Sequence, residues 1–259
     1  MTPPLNVLVT GSSDGIGRRT AADLLAAGHR VVLHARSDAR AEEALAAVPG
    51  ADGVVVGDLA SLASTRQLAE AVTARAPFDV VVHNAGVGGS GERAVTEDGL
   101  SRIFQVNVAA PYLLTALVPR PSRLVYLTSG LQSQGRPDLD DLQHERAPWN
   151  GMQAYSDSKL LDVVLAFAVA RRWPGVLSNA VDPGWIKTRM GGPSATDELP
   201  EGAATQVWLA TSDDPAATVT GRYFKRQQQL EAHPAASDHD VQEALLAALA
   251  QLTGVVLPA

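Results

Sequence analysis

Cysteine is absent from all 259 residues. That removes disulfides, thiolate nucleophiles and cysteine-ligated metals together. Basic runs are absent too, and the formal net charge is −7. Nucleic acid and anionic lipid both require clustered positive charge, so neither is expected as a partner. His29, His34, His83, His144, His233 and His239 show no metal-ligand spacing. No metal site is expected, and most of these histidines read as surface or turn residues. Long apolar runs are lacking as well: the longest, near Val163 to Ala170, is too short to span a bilayer. The opening Met1-Thr2-Pro3-Pro4 has no basic region and leads at once into an apolar strand, so no signal peptide is read there. A soluble, cytoplasmic protein is the expectation.

Apolar residues make up 46% of the chain and charged residues 19%, an ordinary balance for a domain with a substantial core. Short apolar runs alternate with helical patterns from end to end, with no internal repeat and no linker-like change of composition. Strands are expected near residues 5–9, 30–35, 53–57, 78–83, 122–128, 176–181 and 221–224. Helices are expected near 18–27, 39–48, 61–75, 97–118, 153–173, 203–210 and 238–252, the fourth bent or interrupted by Pro111. Residues 130–151 read as a polar excursion at the sheet's edge, and residues 185–202 are rich in Gly, Pro and Ser. The pattern predicts one α/β domain over 1–259, a single doubly wound parallel sheet of Rossmann type with about seven strands and helices on both faces.

The stretch Thr10-Gly11-Ser12-Ser13-Asp14-Gly15-Ile16-Gly17 lies between the first strand and the first helix. Glycines there let the backbone turn sharply and approach a pyrophosphate, whose charge a helix N-terminus favours. A plain glycine-rich turn is the alternative, and the spacing differs from the simple G-x-G-x-x-G form. Support comes from the other strand ends, because ligands of such sheets bind outside the carboxyl ends of the strands. Those ends carry Arg36, Asp58, Asn84-Ala85-Gly86, Ser129 and Pro183-Gly184, with Tyr155-Ser156-Asp157-Ser158-Lys159 before the last.

Taken in order, this set resembles the short-chain dehydrogenase/reductase family over nearly the whole chain. Its marks are Thr10-x3-Gly15-x-Gly17, Asn84-Ala85-Gly86, Asn107, Ser129, Tyr155-x3-Lys159 and Pro183-Gly184. The long interval from Ser129 to Tyr155 and the ending Gly221-Arg222-Tyr223-Phe224 with a helical tail look like the retinol-dehydrogenase-like branch. That likeness implies apolar aldehydes, ketones or alcohols as substrates.

The chemistry also follows from the residues. Tyr155 and Lys159, four apart on a predicted helix, share a face. A phenol ordinarily ionises near ~10, and a neighbouring ammonium favours the phenolate. Tyr155 can then exchange a proton with a carbonyl or alcohol oxygen while hydride moves at carbon. Ser129 would hydrogen-bond the same oxygen. Thr128 and Ser133 carry competing hydroxyls, and Ser129 matches the family pattern best. The resemblance further implies that Asn107 fixes a water linking Lys159 to solvent and that Lys159 binds the nicotinamide ribose.

An Arg at the end of the second strand accommodates a 2′-phosphate, where an acidic residue would bind a free ribose hydroxyl. Ala35-Arg36-Ser37 therefore points to NADP(H) ahead of NAD(H), although Asp14 and Asp38 nearby would repel phosphate and a solvated Arg36 is the alternative. By resemblance Gly11, Ser13, Gly15, Ile16 and Gly17 cradle the phosphates, and Asp58 and Leu59 meet the adenine. Asn84, Ala85 and Gly86 line the groove, while Pro183, Gly184, Ile186 and Thr188 meet the nicotinamide end. Asp58 also reads as a cap for the next helix.

The reaction expected is hydride transfer on a small carbonyl or alcohol substrate, with residues 130–151 and 185–202 as substrate walls. A lyase or epimerase on the same fold, or a non-catalytic NADP redox sensor, are the competing readings. The segment from Trp185 to Gly202 is expected to act as a lid. A homo-oligomer through the helices near 97–118 and 153–173 is an open expectation.

Overall fold

The computed structural model describes residues 3–89 and 91–259. Met1, Thr2 and Ser90 lie outside the described residues, and with them the first two positions of the N-terminal stretch and one position of the glycine-rich loop after residue 86.

Eight strands form one sheet. They are β1 (Asn6–Val9), β2 (Arg30–Ala35), β3 (Val54–Val56), β4 (Val80–His83), β5 (Arg123–Leu127), β6 (Leu177–Asp182), β7 (Tyr223–Lys225) and β8 (Gln228–Leu230). Their order is β3-β2-β1-β4-β5-β6-β7-β8. Every pairing is parallel except β7 with β8. The expected parallel sheet of about seven strands thus gains an eighth, antiparallel one. Its residues Gln228, Gln229 and Leu230 are all exposed, so no apolar run marks it in the sequence. The order reverses direction between β1 and β4, which places a crevice at the carboxyl ends of these two strands.

Helices cover both faces. On one side lie α1 (Gly15–Ala26), α2 (Asp38–Ala47) and, further along the chain, α7 (Leu199–Thr211). Alternate strand residues such as Val7, Val9, Leu33 and Val82 pack there with Leu24, Ala44 and Leu209. On the other side lie α3 (Leu62–Thr73), the one-turn α4 (Arg102–Phe104), α5 (Ala110–Leu117), α6 (Gly151–Arg172) and α8 (His239–Thr253). Leu8, Val81 and Leu124 point into that second core. The period-2 alternation of a strand is what feeds both layers from one sequence.

The expected helix over 97–118 starts only at Arg102 and passes through a π-helical turn, Gln105–Ala109, before α5. Pro111 has no N–H to donate to the carbonyl of Asn107 four residues back, so the regular ladder cannot run through. Most of α6 is buried, including Ser156, Asp157, Ser158 and Asp162. The C-terminal residues pack against α5 and the end of α6. Trp173 donates to Pro258 O at 2.8 Å, Tyr112 donates to Val255 O at 2.7 Å, and Leu257 is buried.

Residues 130–151 do not sit at the sheet's edge as expected. They follow β5, an inner strand, and begin with a 3-10 turn, Gly130–Gln134. The segment then lies against α6. Asp157 accepts from Arg136 N at 2.6 Å, and Gln143 accepts from Ser101 N at 2.7 Å. No helix among the described residues is long and apolar enough to cross a membrane.

Candidate active site

The crevice begins at the glycine turn. Gly11 and Gly15 have φ of 62° and 52°, the left-handed region that suits glycine. A Cβ on Gly11 would lie 2.8 Å from Ala85 Cα, and one on Gly17 would strike both Asn84 Nδ2 and Gly11 O. The turn and the end of β4 are therefore in backbone contact. Thr10 Oγ1 accepts from Asn84 N at 3.0 Å and from Ala85 N at 3.1 Å. Asn84 Nδ2 donates to Thr10 O at 2.9 Å and to Gly11 O at 3.2 Å. Its Oδ1 is buried without a partner among the described residues.

His34 ties the same turn to the next strand end. Gly11 N donates to Nδ1 at 2.9 Å, so Nε2 carries the proton and donates to Gly57 O at 2.9 Å. Burial holds the imidazole below its ordinary pKa, against the opposite pull of the Gly57 carbonyl and Asp58. It is a neutral strut. Together with His83, which is equally buried, it departs from the surface role expected for most histidines.

At the end of β2, Arg36 is exposed and has no partner among the described residues. Arg40, one turn into α2, reaches back to Ser13 Oγ at 3.2 Å and stands 3.9 Å from Asp14. Asp14 caps α1 by accepting from Gly15 N at 2.7 Å and also pairs with Arg189. Burial opposes its ionisation, but the Gly15 N–H and Arg189 hold the carboxyl below its usual range. Ile16 packs in the first turn of α1 near Gly202. Asp58 is exposed and accepts from Ala60 N at 2.9 Å, whereas the Leu59 side chain is buried in the core.

The Tyr-Lys side of the crevice lies across β4 and β5. Asn107, in the π turn, accepts from Val87 N at 2.8 Å and donates to Val87 O at 3.1 Å and Ser158 Oγ at 2.9 Å. A Cβ on Gly86 would lie 3.4 Å from Asn107 Oδ1 and 3.5 Å from Lys159 Nζ, so these three residues converge. Lys159 is buried and donates to Leu127 O at 2.9 Å and to Asp162 Oδ2 at 2.7 Å. Burial would lower the lysine, but Asp162 and then Tyr155 keep it raised. Burial pushes the Asp162 carboxyl up to about 6 although the ammonium opposes this.

Tyr155 is half-buried, its ring centroid 5.9 Å from Lys159 Nζ. Of the three candidate hydroxyls, Thr128 is buried and donates to Lys159 O, while Ser133 is exposed and donates to Gly130 O at 2.9 Å. Ser129 is half-buried at the top of β5, accepting from Leu131 N at 3.3 Å.

After β6, Pro183 leads to Gly184, whose N donates to Asp182 Oδ1 at 2.9 Å. Asp197 then staples the following segment: its backbone N donates to Trp185 O at 2.9 Å, and its O accepts from Lys187 N at 2.9 Å. Ile186 is buried, Thr188 faces Gly15, and Met190 reaches Gly88. Trp185 and Met190 are more than half exposed. Over the site, Gly89 and Gly151 meet backbone to backbone, and a Cβ on Gly89 would also lie 2.9 Å from Tyr155 Cβ.

The structure thus gathers the glycine turn, Asn84 to Gly86, Asn107, Ser129, Tyr155, Lys159 and Pro183 to Thr188 along one row of strand ends. Sequence reasoning missed His34, Arg40 and Asp162. A histidine inside an apolar strand, an arginine four after Arg36 and an aspartate three after Lys159 were the available signals.

A family model described as short chain dehydrogenase matches residues 5–130. Short-chain dehydrogenase chyC of Penicillium rubens is 40% identical over 98% of this chain and 99% of its own length. Retinol dehydrogenase 14 of Mus musculus is 35% identical over 91% and 81%. An uncharacterized protein from Mycobacterium paratuberculosis superposes with a TM-score of 0.86 at 28% identity, covering 98% of this chain and 95% of that one. A blue fluorescent protein from a metagenomic library, solved in complex with NADPH, gives 0.69 at 28% identity over 85% and 95%. On this similarity and this geometry, the chain belongs to the short-chain dehydrogenase/reductase family of oxidoreductases, with retinol-dehydrogenase-like relatives.

Proposed function

We propose that the protein is an NADP(H)-dependent oxidoreductase interconverting a carbonyl and an alcohol on an apolar small molecule, with Tyr155 as general acid/base. The observation that carries the reading is the half-buried Tyr155 phenol beside the buried Lys159 ammonium, next to a backbone cradle without room for side chains. The residues present fit a dinucleotide. Gly11 and Gly17 let the turn close directly on the end of β4, which Cβ atoms would prevent, the buried Asn84 Oδ1 lacks a donor among the described residues, and Arg36 is free to meet a 2′-phosphate. Arg40, held at Ser13, adds a second cation on that side. The NADPH-bound relative supports the same preference.

When bound, the nicotinamide supplies or accepts the hydride. Tyr155 donates a proton to the carbonyl oxygen in reduction and removes it in oxidation. Ser129 holds that oxygen beside the phenol, and Lys159 offers an N–H donor on the Gly86 side of the cleft. Asn107 pins residue 87 and so fixes the floor at Gly86. Residues 130–151 and 185–202 supply the substrate walls.

Tyr155→Phe tests the assignment. NADPH oxidation with a panel of apolar aldehydes and ketones is expected to fall ~10²–10⁴-fold in kcat, the usual worth of general acid catalysis. NADPH fluorescence should show cofactor binding retained. Near-wild-type turnover in the variant would remove Tyr155 from the mechanism, and an absence of any net absorbance change in the wild type would favour the lyase or epimerase reading.

A further inference from the structure

Behind Lys159 stands a charge that this chemistry does not use. Asp162 lies one turn further along α6, with Oδ2 2.7 Å from Lys159 Nζ and the two side chains only 4% and 5% exposed. Stability is a poor reason for such a pair, because desolvating both ions consumes most of the attraction. A lysine ammonium has three N–H donors. Asp162 and Leu127 O take two, which leaves one for the cleft at Gly86.

Resting on the oxidoreductase reading above, we infer that Asp162 is a positioning residue that aims Lys159 and offsets its charge, so that the Tyr155 phenol faces a nearly neutral ion pair. An isolated ammonium draws the proton off a nearby phenol, and a carboxylate behind it cancels part of that pull. Asp162 follows Tyr155 by seven residues, which is two helical turns or about 10 Å of rise. At that distance and an effective dielectric of about 20, one unit charge moves a proton equilibrium by about one pH unit. Few other groups compete for this field. Tyr126 on β5 faces Asp162, with His83 of β4 stacked on it, and Asp182 of β6 is turned to Lys225. Tyr126 is tied to Thr115 at 2.7 Å, which leaves Tyr155 as the tyrosine beside the lysine.

Asp162→Asn keeps the size and an acceptor oxygen for Nζ while removing the charge. The readout is the ultraviolet tyrosinate titration of the apoprotein, with Tyr155→Phe versions subtracted, so it does not depend on turnover. The Asn variant is expected to move the Tyr155 midpoint about one pH unit to the acid side. Asp157→Asn, which removes the other buried carboxylate of α6, is expected to leave it in place. A midpoint unmoved in Asp162→Asn overturns the inference. So does an alkaline shift, because Lys159 would then have lost its proton along with its partner. Asp162→Ser carries the same expected signs and replaces the Asn variant if that one does not fold. Turnover retained in Tyr155→Phe would sink the parent reading without touching this titration.

Discussion

Replacing Gly17 by Ala sets two effects of opposite sign against each other. Gly17 lies in the first turn of α1, where Ala is the better helix former by up to ~1 kcal/mol. The new methyl, however, would strike Asn84 Nδ2 and Gly11 O. The second of these is backbone, and the first is an amide held at 2.9 Å and 3.2 Å by Thr10 O and Gly11 O. Neither can give way without opening the glycine turn. Overpacking of this kind costs ~1–3 kcal/mol. Losing two hydrogen bonds adds roughly 1 kcal/mol each. The clash should win by about 2–4 kcal/mol, which for a chain of this size lowers Tm by roughly 5–10 °C. Differential scanning calorimetry of the apoprotein reads this, and NADPH titration should show weakened binding if, as proposed, the displaced turn cradles the cofactor phosphates. A variant with unchanged or higher Tm would show that helix propensity prevails and that turn and strand are not in hard contact.

Arg36→Asp should exchange attraction for repulsion at the 2′-phosphate, and a charge-assisted bond of ~1.5–3 kcal/mol predicts at least a tenfold swing in NADPH over NADH. Parallel titrations of both cofactors check it, and unchanged discrimination would mean that Arg36 is merely solvated. His83 has its pKa lowered to about 3 by burial. The folded protein keeps it neutral while an unfolded chain protonates it below ~6.5, so its contribution is full above that pH and is lost as pH falls toward 3. About 2 kcal/mol should be gone by pH 5, and calorimetry across that range should show a shallower loss for His83→Phe. Residues 188–200 should exchange amide hydrogens more slowly once NADP and a substrate analogue are added, and equal fast exchange in every state would show that the segment does not close.

Much of this was legible because strand periodicity and glycine placement are local properties. The apolar runs near 5–9, 30–35 and 78–83 mark β1, β2 and β4, and the order of polar residues after them gives the cleft. β8 escaped because an exposed Gln228-Gln229-Leu230 edge has neither alternation nor a turn signal of its own. Residues 130–151 were misplaced because their anchor, Asp157, lies 21 positions from Arg136 and is hidden within the Tyr-Lys motif. His34 and Asp162 act through partners fixed by the fold: Gly11 and Gly57 sit on different strand ends, and the Leu127 carbonyl is known only once β5 lies under α6. Composition shows such residues, but only topology shows what they touch.

The meeting of Gly89 with Gly151 has a consequence for how the site can change. With bare backbone on both sides, the gap between the loop above the cleft and the start of α6 does not depend on any rotamer. A methyl at either position would lever the loop away, and one at Gly89 would push directly on Tyr155. Neither glycine can therefore drift independently of the other or of Tyr155. If residues 130–151 and 185–202 form the substrate walls as proposed, variation in what this protein accepts is channelled into them and away from this backbone contact.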